Sequence, residues 1–275
     1  MKSRPLKTRG VTRGFPVYRI EGELHRVEDE VVVEESLNLH LNGVHYRRLT
    51  ASPTMRRELI YGHLYAQGVA TPQEVLELRI EPPSVDVKLR GEVDVLRLRS
   101  MEAQLLAEAQ GLKPPEMLME LRVEDGVEVE AERLLALMGE MERRCVLFKR
   151  TGGVHSALLS TPEGEVAAHV EDISRHSAID KAVGSILLGG SEPRGMILLS
   201  TGRQTASMVL KAVGCGVPLI ASRAAPSSSG IRAAEAAGIT LICFLRGGRM
   251  NVYTHPWRVR ELRGRSAWRG PPPGR

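Results

Sequence analysis

Cysteine is scarce. Cys145, Cys215 and Cys243 are far apart and odd in number, which argues against a disulfide framework and for a reducing compartment. No CxxC occurs, so neither a structural zinc site nor a dithiol redox pair is supported, and no metal-ligand set is predicted. Aromatic residues make up 4% of the chain, too few for the stacking platforms of single-strand binders. No apolar run approaches the length of a membrane span. The basic N-terminus carries no apolar h-region, so a cytoplasmic location without a secretory leader is expected. No internal repeat is visible.

What is present is an ordinary globular balance, 42% hydrophobic and 26% charged over 275 residues. That length suits one large or two ordinary domains. The net charge is +5, and arginine far outnumbers lysine. Arginine forks match phosphate and carboxylate, so charge alone suggests nucleic acid. Much of the excess lies in residues 2–13 and 258–275, which read as a basic arm and tail, and nucleic acid is therefore not the favoured partner.

From Phe15 to Leu49 the pattern is strand-like, with Asn42-Gly43 as a hairpin turn. A helix should run from Pro53 to Gln67 and stop at Gly68. Residues 78–99 alternate again, suggesting two or three strands, before a helix from Met101 to Gln110. Another helix should span Ala131 to Met141, and a domain boundary is placed after it, near Arg144. Beyond that point strands and helices take turns, as in an α/β sheet.

The most charged stretch runs from His169 to Lys181. Asp172 or Ser174 is a fitting N-cap for a helix reaching Leu188. On that helix Asp172, Arg175, His176 and Asp180 would share one face, the pattern of a site or of a solvated ion-pair face. Three later loops should leave the carboxyl ends of successive strands: Ser200-Thr201-Gly202-Arg203, Ser222 to Ser229, and Arg246-Gly247-Gly248-Arg249. Ligands bind at that edge of open α/β sheets, glycines let backbone approach phosphate, and helix N-termini attract anions. Together the loops point to a phosphorylated, nucleotide-like ligand, although each alone is compatible with ordinary turns. His155, after Gly152-Gly153, is a candidate ligand contact or acid/base. His169-Val170-Glu171 matches half of the zinc-deaminase signature, but its P-C-x-x-C half is missing. Cys215 and Cys243 read as core residues. Cys145 follows Arg143-Arg144, which would lower its pKa, but no general base lies near it in sequence.

The chain resembles the formate dehydrogenase accessory family, FdhD/NarQ. The resemblance rests on Thr151-Gly152-Gly153-Val154-His155-Ser156-Ala157, Glu171 through Lys181, Ser200-Thr201-Gly202-Arg203, Ala225-Pro226-Ser227-Ser228, and Phe244 through Arg249 with Val252 through Pro256. It implies a homodimer with a cytidine-deaminase-like, mixed-sheet α/β core and a smaller N-terminal α+β domain. In that scheme residues 1–144 form the N-terminal domain, 145–257 the cofactor-binding domain and 258–275 the tail. It further implies maturation of a molybdenum or tungsten formate dehydrogenase: sulfur received as a persulfide from a cysteine desulfurase and passed to the metal of a bis-pterin guanine dinucleotide cofactor. The implied cofactor segment is Phe244, Leu245, Arg246, Gly247, Gly248 and Arg249.

One departure matters. The family's persulfide cysteines lie in a CxxC loop before the Thr151 stretch, and residues 100–144 here contain no cysteine. The expectation is therefore a protein that binds the cofactor as cargo and delivers it to formate dehydrogenase, with catalytic residues unassigned. Arg203, Arg246 and Arg249 would hold phosphates, beside Thr201 and Gly202. Gly152, Gly153, His155, Glu171, Asp172 and His176 would line the pocket. The alternatives are a sulfurtransferase using Cys145, Cys215 or Cys243, and a basic nucleic-acid binder.

Overall fold

The computed structural model describes residues 10–264; most of the expected basic arm and the end of the tail lie outside them. Strands β1 (Thr12–Glu21) and β2 (Glu23–Val32) pair antiparallel into a long arm. Its far end exposes Tyr18 (72%), Ile20 (77%) and Leu24 (66%). Its base is held by Val11 and Val32 packed with Leu147 and Val154.

A second, four-stranded sheet has the order β4-β3-β6-β5. It comprises β3 (Glu35–Leu41), β4 (Val44–Ala51), β5 (Val75–Glu81) and β6 (Ser84–Leu89). Asn42 (φ 48°) and Gly43 (φ 83°) make the expected tight turn between β3 and β4. Leu37, Leu39, Leu41 and Leu49 pack against Leu59, Ile60 and Leu64 of α1 (Arg56–Ala66).

The alternation of residues 93–98 does not make a strand. Asp94 accepts from Arg97 N and caps α2 (Val95–Gln110), so the helix expected from Met101 starts a turn and a half earlier. A short helix α3 (Glu116–Glu120) follows.

The main sheet has six strands in the order β12-β11-β10-β9-β7-β8. They are β7 (His155–Ser160), β8 (Val166–Asp172), β9 (Ile197–Ser200), β10 (Leu219–Ser222), β11 (Thr240–Arg246) and β12 (Arg249–Val252). Strands β9, β10 and β11 are parallel; β7 runs against both β8 and β9, and β12 against β11. The sheet is therefore mixed, as the resemblance implies. Ala157, Leu159, Val170, Leu198, Ile220 and Leu241 face α6 (Arg175–Leu188), α7 (Ala206–Gly214) and α8 (Ser228–Ala236). Leu158, Ile197, Leu199, Leu219 and Ile242 face α4 (Ala131–Arg144).

This layering corrects the boundary drawn after Arg144. Helix α4 precedes it in the chain yet buries Leu134, Leu137, Met138 and Met141 on the main sheet. The tail drawn from residue 258 is corrected too. Arg258 is buried, paired with Asp125, and donates to Gly238 O. Between the two units, α1 crosses α6 almost backbone to backbone. A Cβ on Gly62 would lie 1.7 Å from Asp180 O, and one on Gly184 1.9 Å from Glu58 O; only glycine permits that approach. No helix among the described residues is long and apolar enough to cross a membrane.

Candidate functional site

Because β7 opposes both its neighbours, β8 ends at the same edge of the sheet as β9, β10 and β11. The N-termini of α6, α7 and α8 therefore converge there. Ser174 caps α6 through Ser177 N, and Ser227 caps α8 through Gly230 N at 3.1 Å. Helix α7 alone of these has no side-chain cap, so its first-turn amides keep their anion-attracting character.

The loops along this edge are stitched together. Gly202 O accepts from Gln204 Nε2 and from Ser222 Oγ, both at 2.8 Å. Gln204 N donates to Ala225 O, and Ser227 N to Gln204 O. Thr201 Oγ1 accepts from Ser156 N at 2.9 Å and lies 3.3 Å from His155 Nδ1. Burial, then the nearby Arg175 charge, holds His155 below the usual histidine pKa. His176 falls to about 4, through burial and then Lys211 and Arg175. Both histidines are therefore neutral at pH 7, and the positive charge of this edge belongs to arginines.

Arg223 is ion-paired to Glu142 at 3.3 Å. Arg175, Arg203, Arg246 and Arg249 have no carboxylate partner among the described residues. Arg246 and Arg249 face each other across a two-residue turn in which Gly247 (φ 60°) and Gly248 (φ 74°) are both left-handed. A Cβ on either glycine would meet open space, so this pair is required by turn geometry and not by close approach of a ligand. Upstream, Phe244 adopts φ 54° at a bulge in β11. A bulky residue in that region is strained, and such strain clusters at functional sites. The Arg246 guanidinium lies 5.8 Å from the Phe244 ring centroid.

Several expected pocket residues are committed elsewhere. Glu171 and Asp172 are adjacent on a strand and so project to opposite faces. Glu171 accepts from Val146, Leu147 and Phe148 N at 2.7–2.8 Å, capping the short helix α5 (Leu147–Thr151). Asp172 is fully buried and pairs with Lys181; it also accepts from Ser52 N and Ser174 N. Asp180, expected beside them on an open face, is buried against Lys211 Nζ at 2.6 Å and His63 Nδ1 at 2.9 Å. Burial alone would raise its pKa; Lys211 and His63 outweigh burial and bring it to about 2. Leu245 is fully buried under α4. Gly152 (φ 64°) ends α5, and Gly153 lies against Val32 at the base of the arm. The edge therefore gathers His155, Thr201, Gly202, Arg203, Phe244, Arg246 and Arg249, but not the carboxylates.

Sequence reasoning places Arg175 on the charged face of α6 but gives neither it nor Gln204 a ligand contact; the buried Arg175 Nε and Gln204 Oε1 have no hydrogen-bond partner among the described residues. It also missed the surroundings of Cys145. His169 Nε2 lies 3.9 Å from the Cys145 sulfur and 2.8 Å from Ser156 Oγ. The alternation of β8 places His169 on the Glu171 face, a signal the sequence did carry. The expected lowering of the Cys145 pKa by Arg143 and Arg144 does not occur: burial raises it, with Ser156 opposing. Both arginines are instead paired with Glu140.

The FdhD/NarQ family model matches residues 32–260. The sulfur carrier protein FdhD of Methanothermobacter thermautotrophicus is 33% identical over 249 residues, covering 90% of this chain and 98% of that one. The protein of the same name from Bacillus subtilis is 33% identical over 260 residues, covering 91% and 98%. The crystal structure of a formate dehydrogenase accessory protein from Desulfotalea psychrophila superposes with a TM-score of 0.73 at 26% identity, covering 90% of this chain and 99% of that one. A fold shared over nearly the whole length, carrying the motifs built above, makes this chain a member of the FdhD/NarQ family.

Proposed function

We propose that this protein serves formate dehydrogenase maturation by holding a molybdenum or tungsten bis-pterin guanine dinucleotide as cargo and delivering it to the enzyme. One observation carries the reading: Arg175, Arg203, Arg246 and Arg249 stand without counter-charges on the edge where the N-termini of α6, α7 and α8 meet. Guanidinium groups without carboxylates beside uncapped amides form a receptor for a pyrophosphate. The orphaned polar atoms of Arg175 and Gln204 fit a ligand that supplies both acceptors and donors. The names borne by the relatives and by the structural neighbour support the same pathway. The homodimer implied by the resemblance belongs to this proposal, and the exposed apolar face of the arm is a surface a second copy could cover.

Equilibrium binding of GDP tests the reading. The Arg246→Ala/Arg249→Ala variant should bind at least about tenfold more weakly than wild type, the scale of one lost charge-assisted contact. Equal affinity in the two proteins would remove the assignment.

A second reading, sulfur relay through a thiol of this chain, is favoured by the His169 contact. Cys215 and Cys243 are buried in the core, and burial drives both thiols up, Cys243 to about 12. Cys145 is 5% exposed; its thiol donates to Met141 O at 3.2 Å, and His169 Nε2, which also meets Ser156 Oγ, lies 3.9 Å from the sulfur. Burial lowers the His169 pKa, so its ring is neutral and able to take the Cys145 proton. The thiolate would attack the outer sulfur of a donor persulfide, forming Cys145–S–SH and releasing the donor as its thiolate. Ser156 links this thiol to the arginine edge: its hydroxyl meets His169 and its amide is held by Thr201.

A further inference from the structure

Resting on the delivery reading above, we infer that the tip of the β1–β2 arm is the docking surface for the enzyme that receives the cargo. It fits an apolar depression rimmed by basic side chains on that partner.

The tip has one face made for burial. Its register sets Tyr18 beside Arg26 and Ile20 beside Leu24, so Tyr18, Ile20 and Leu24 share one face, while Arg19, Glu21, Glu23 and His25 share the other. Antiparallel sheets alternate in this way when one face packs on a core and the other meets water. Here the apolar face is bare: all three side chains are exposed. The arm is a two-stranded sheet on its own, and such a ribbon is only marginally stable in water without a further element against it. At the last rung Glu21 and Glu23 stand directly opposite one another, a like-charge pair that destabilises the ladder unless a cation comes between them. Glu21 has Arg19 at 4.0 Å, and Glu23 forms no ion pair among the described residues.

A second copy is the competing occupant, and size argues against it. Three such side chains expose on the order of 400 Å², the scale of a functional surface patch, whereas a permanent dimer takes about 1,000 Å² or more from each copy. Position argues for the recipient enzyme. At the root of the arm Val11 and Val32 pack with Leu147 and Val154, and Ile173 joins them. Val154 precedes His155, and Ile173 lies two residues before Arg175, so the arm is rooted at the arginine edge. Each of its strands has ten residues, and that length spans about 33 Å. A protein gripped at the tip is therefore kept within about that distance of the cargo, which raises its effective concentration there. A small contact also releases readily, as a handover requires.

Binding of cofactor-free formate dehydrogenase to the immobilised full-length protein, measured beside a GDP titration, separates docking from cargo holding. Ile20→Asp/Leu24→Asp should bind the enzyme at least about tenfold more weakly, the scale of two lost apolar anchors, and keep GDP affinity within about twofold of wild type. If that variant perturbs the circular dichroism or melting curve, Ile20→Thr/Leu24→Thr, which keeps residues suited to a strand, replaces it and should show the same loss. Glu21→Lys/Glu23→Lys should also weaken the enzyme and reduce the salt dependence of its binding. Enzyme affinity unchanged in the tip variants would overturn the docking surface. So would wild-type dimers that become monomers in the tip variants by sedimentation, since a second copy is then the occupant. Wild type that binds GDP but not the enzyme would remove the docking and leave the nucleotide reading intact. Wild type that binds the enzyme through the tip but does not bind GDP would remove the nucleotide reading alone.

Discussion

Lys181→Met is expected to lower the free energy of unfolding by about 3–5 kcal/mol, because it strands a carboxylate in the interior. Lys181 and Asp172 are both 0% exposed. Lys181 Nζ also donates to Ser52 O at 2.8 Å, and Asp172 accepts from the amides of Ser52 and Ser174. Ser52 follows β4, so the pair joins the small sheet to the first turns of α6. Burial is the leading influence on both partners and works against charge in each: it raises Asp172 and lowers Lys181. The pair is thus tolerated by mutual compensation, not favoured outright. Methionine preserves most of the lysine volume, so the cost comes from the unmatched charge and not from a cavity. The Asp172→Asn/Lys181→Met double variant should recover much of the loss. Urea midpoints at pH 7 provide the comparison; equal destabilisation in single and double variants would show that packing sets the cost.

On the sulfur reading, a desulfurase supplied with [35S]cysteine should label wild type and Cys215→Ser/Cys243→Ser alike, and Cys145→Ser should retain essentially no label. The basis is geometric. Cys145 is the cysteine with a neutral histidine at hand, 3.9 Å away, and a thiol whose pKa is raised needs such a base to become a nucleophile. His169→Asn should slow labelling at pH 7 and lose less at high pH, where the thiol ionises unaided. Label persisting in Cys145→Ser would exclude Cys145. No label on wild type would discard sulfur relay and leave cofactor holding alone.

Much of the scaffold was legible because its signals are local. Ser174 as N-cap, the span of α6, the Asn42-Gly43 turn and the βα rhythm after residue 195 all depend on neighbours within a few residues. The start of α2 at Val95 is hidden in the sequence by the alternation at 93–98, which reads as a strand until the Asp94 cap is seen. The layer position of α4 cannot be read from chain order at all. The same limit applied to the charged stretch at 169–181. Asp172 and Asp180 looked like an open polar face because their partners are remote: Ser52 lies 120 residues from Asp172, and His63 117 from Asp180. Conversely, the value of Arg175 and Gln204 lies in what they fail to contact, which no local pattern records. The arginine loops were legible as a set because each follows a strand in regular order.

A structure of the protein bound to GDP tests the central claim most directly. The expected result places the pyrophosphate on the edge that carries Arg175, Arg203, Arg246 and Arg249, where the N-termini of α6, α7 and α8 meet. The contradicting result is nucleotide lodged elsewhere, for instance in the cavity of about 800 Å³ lined by Tyr46, Glu102, Leu105, Arg122 and Arg194, with the arginine edge left empty.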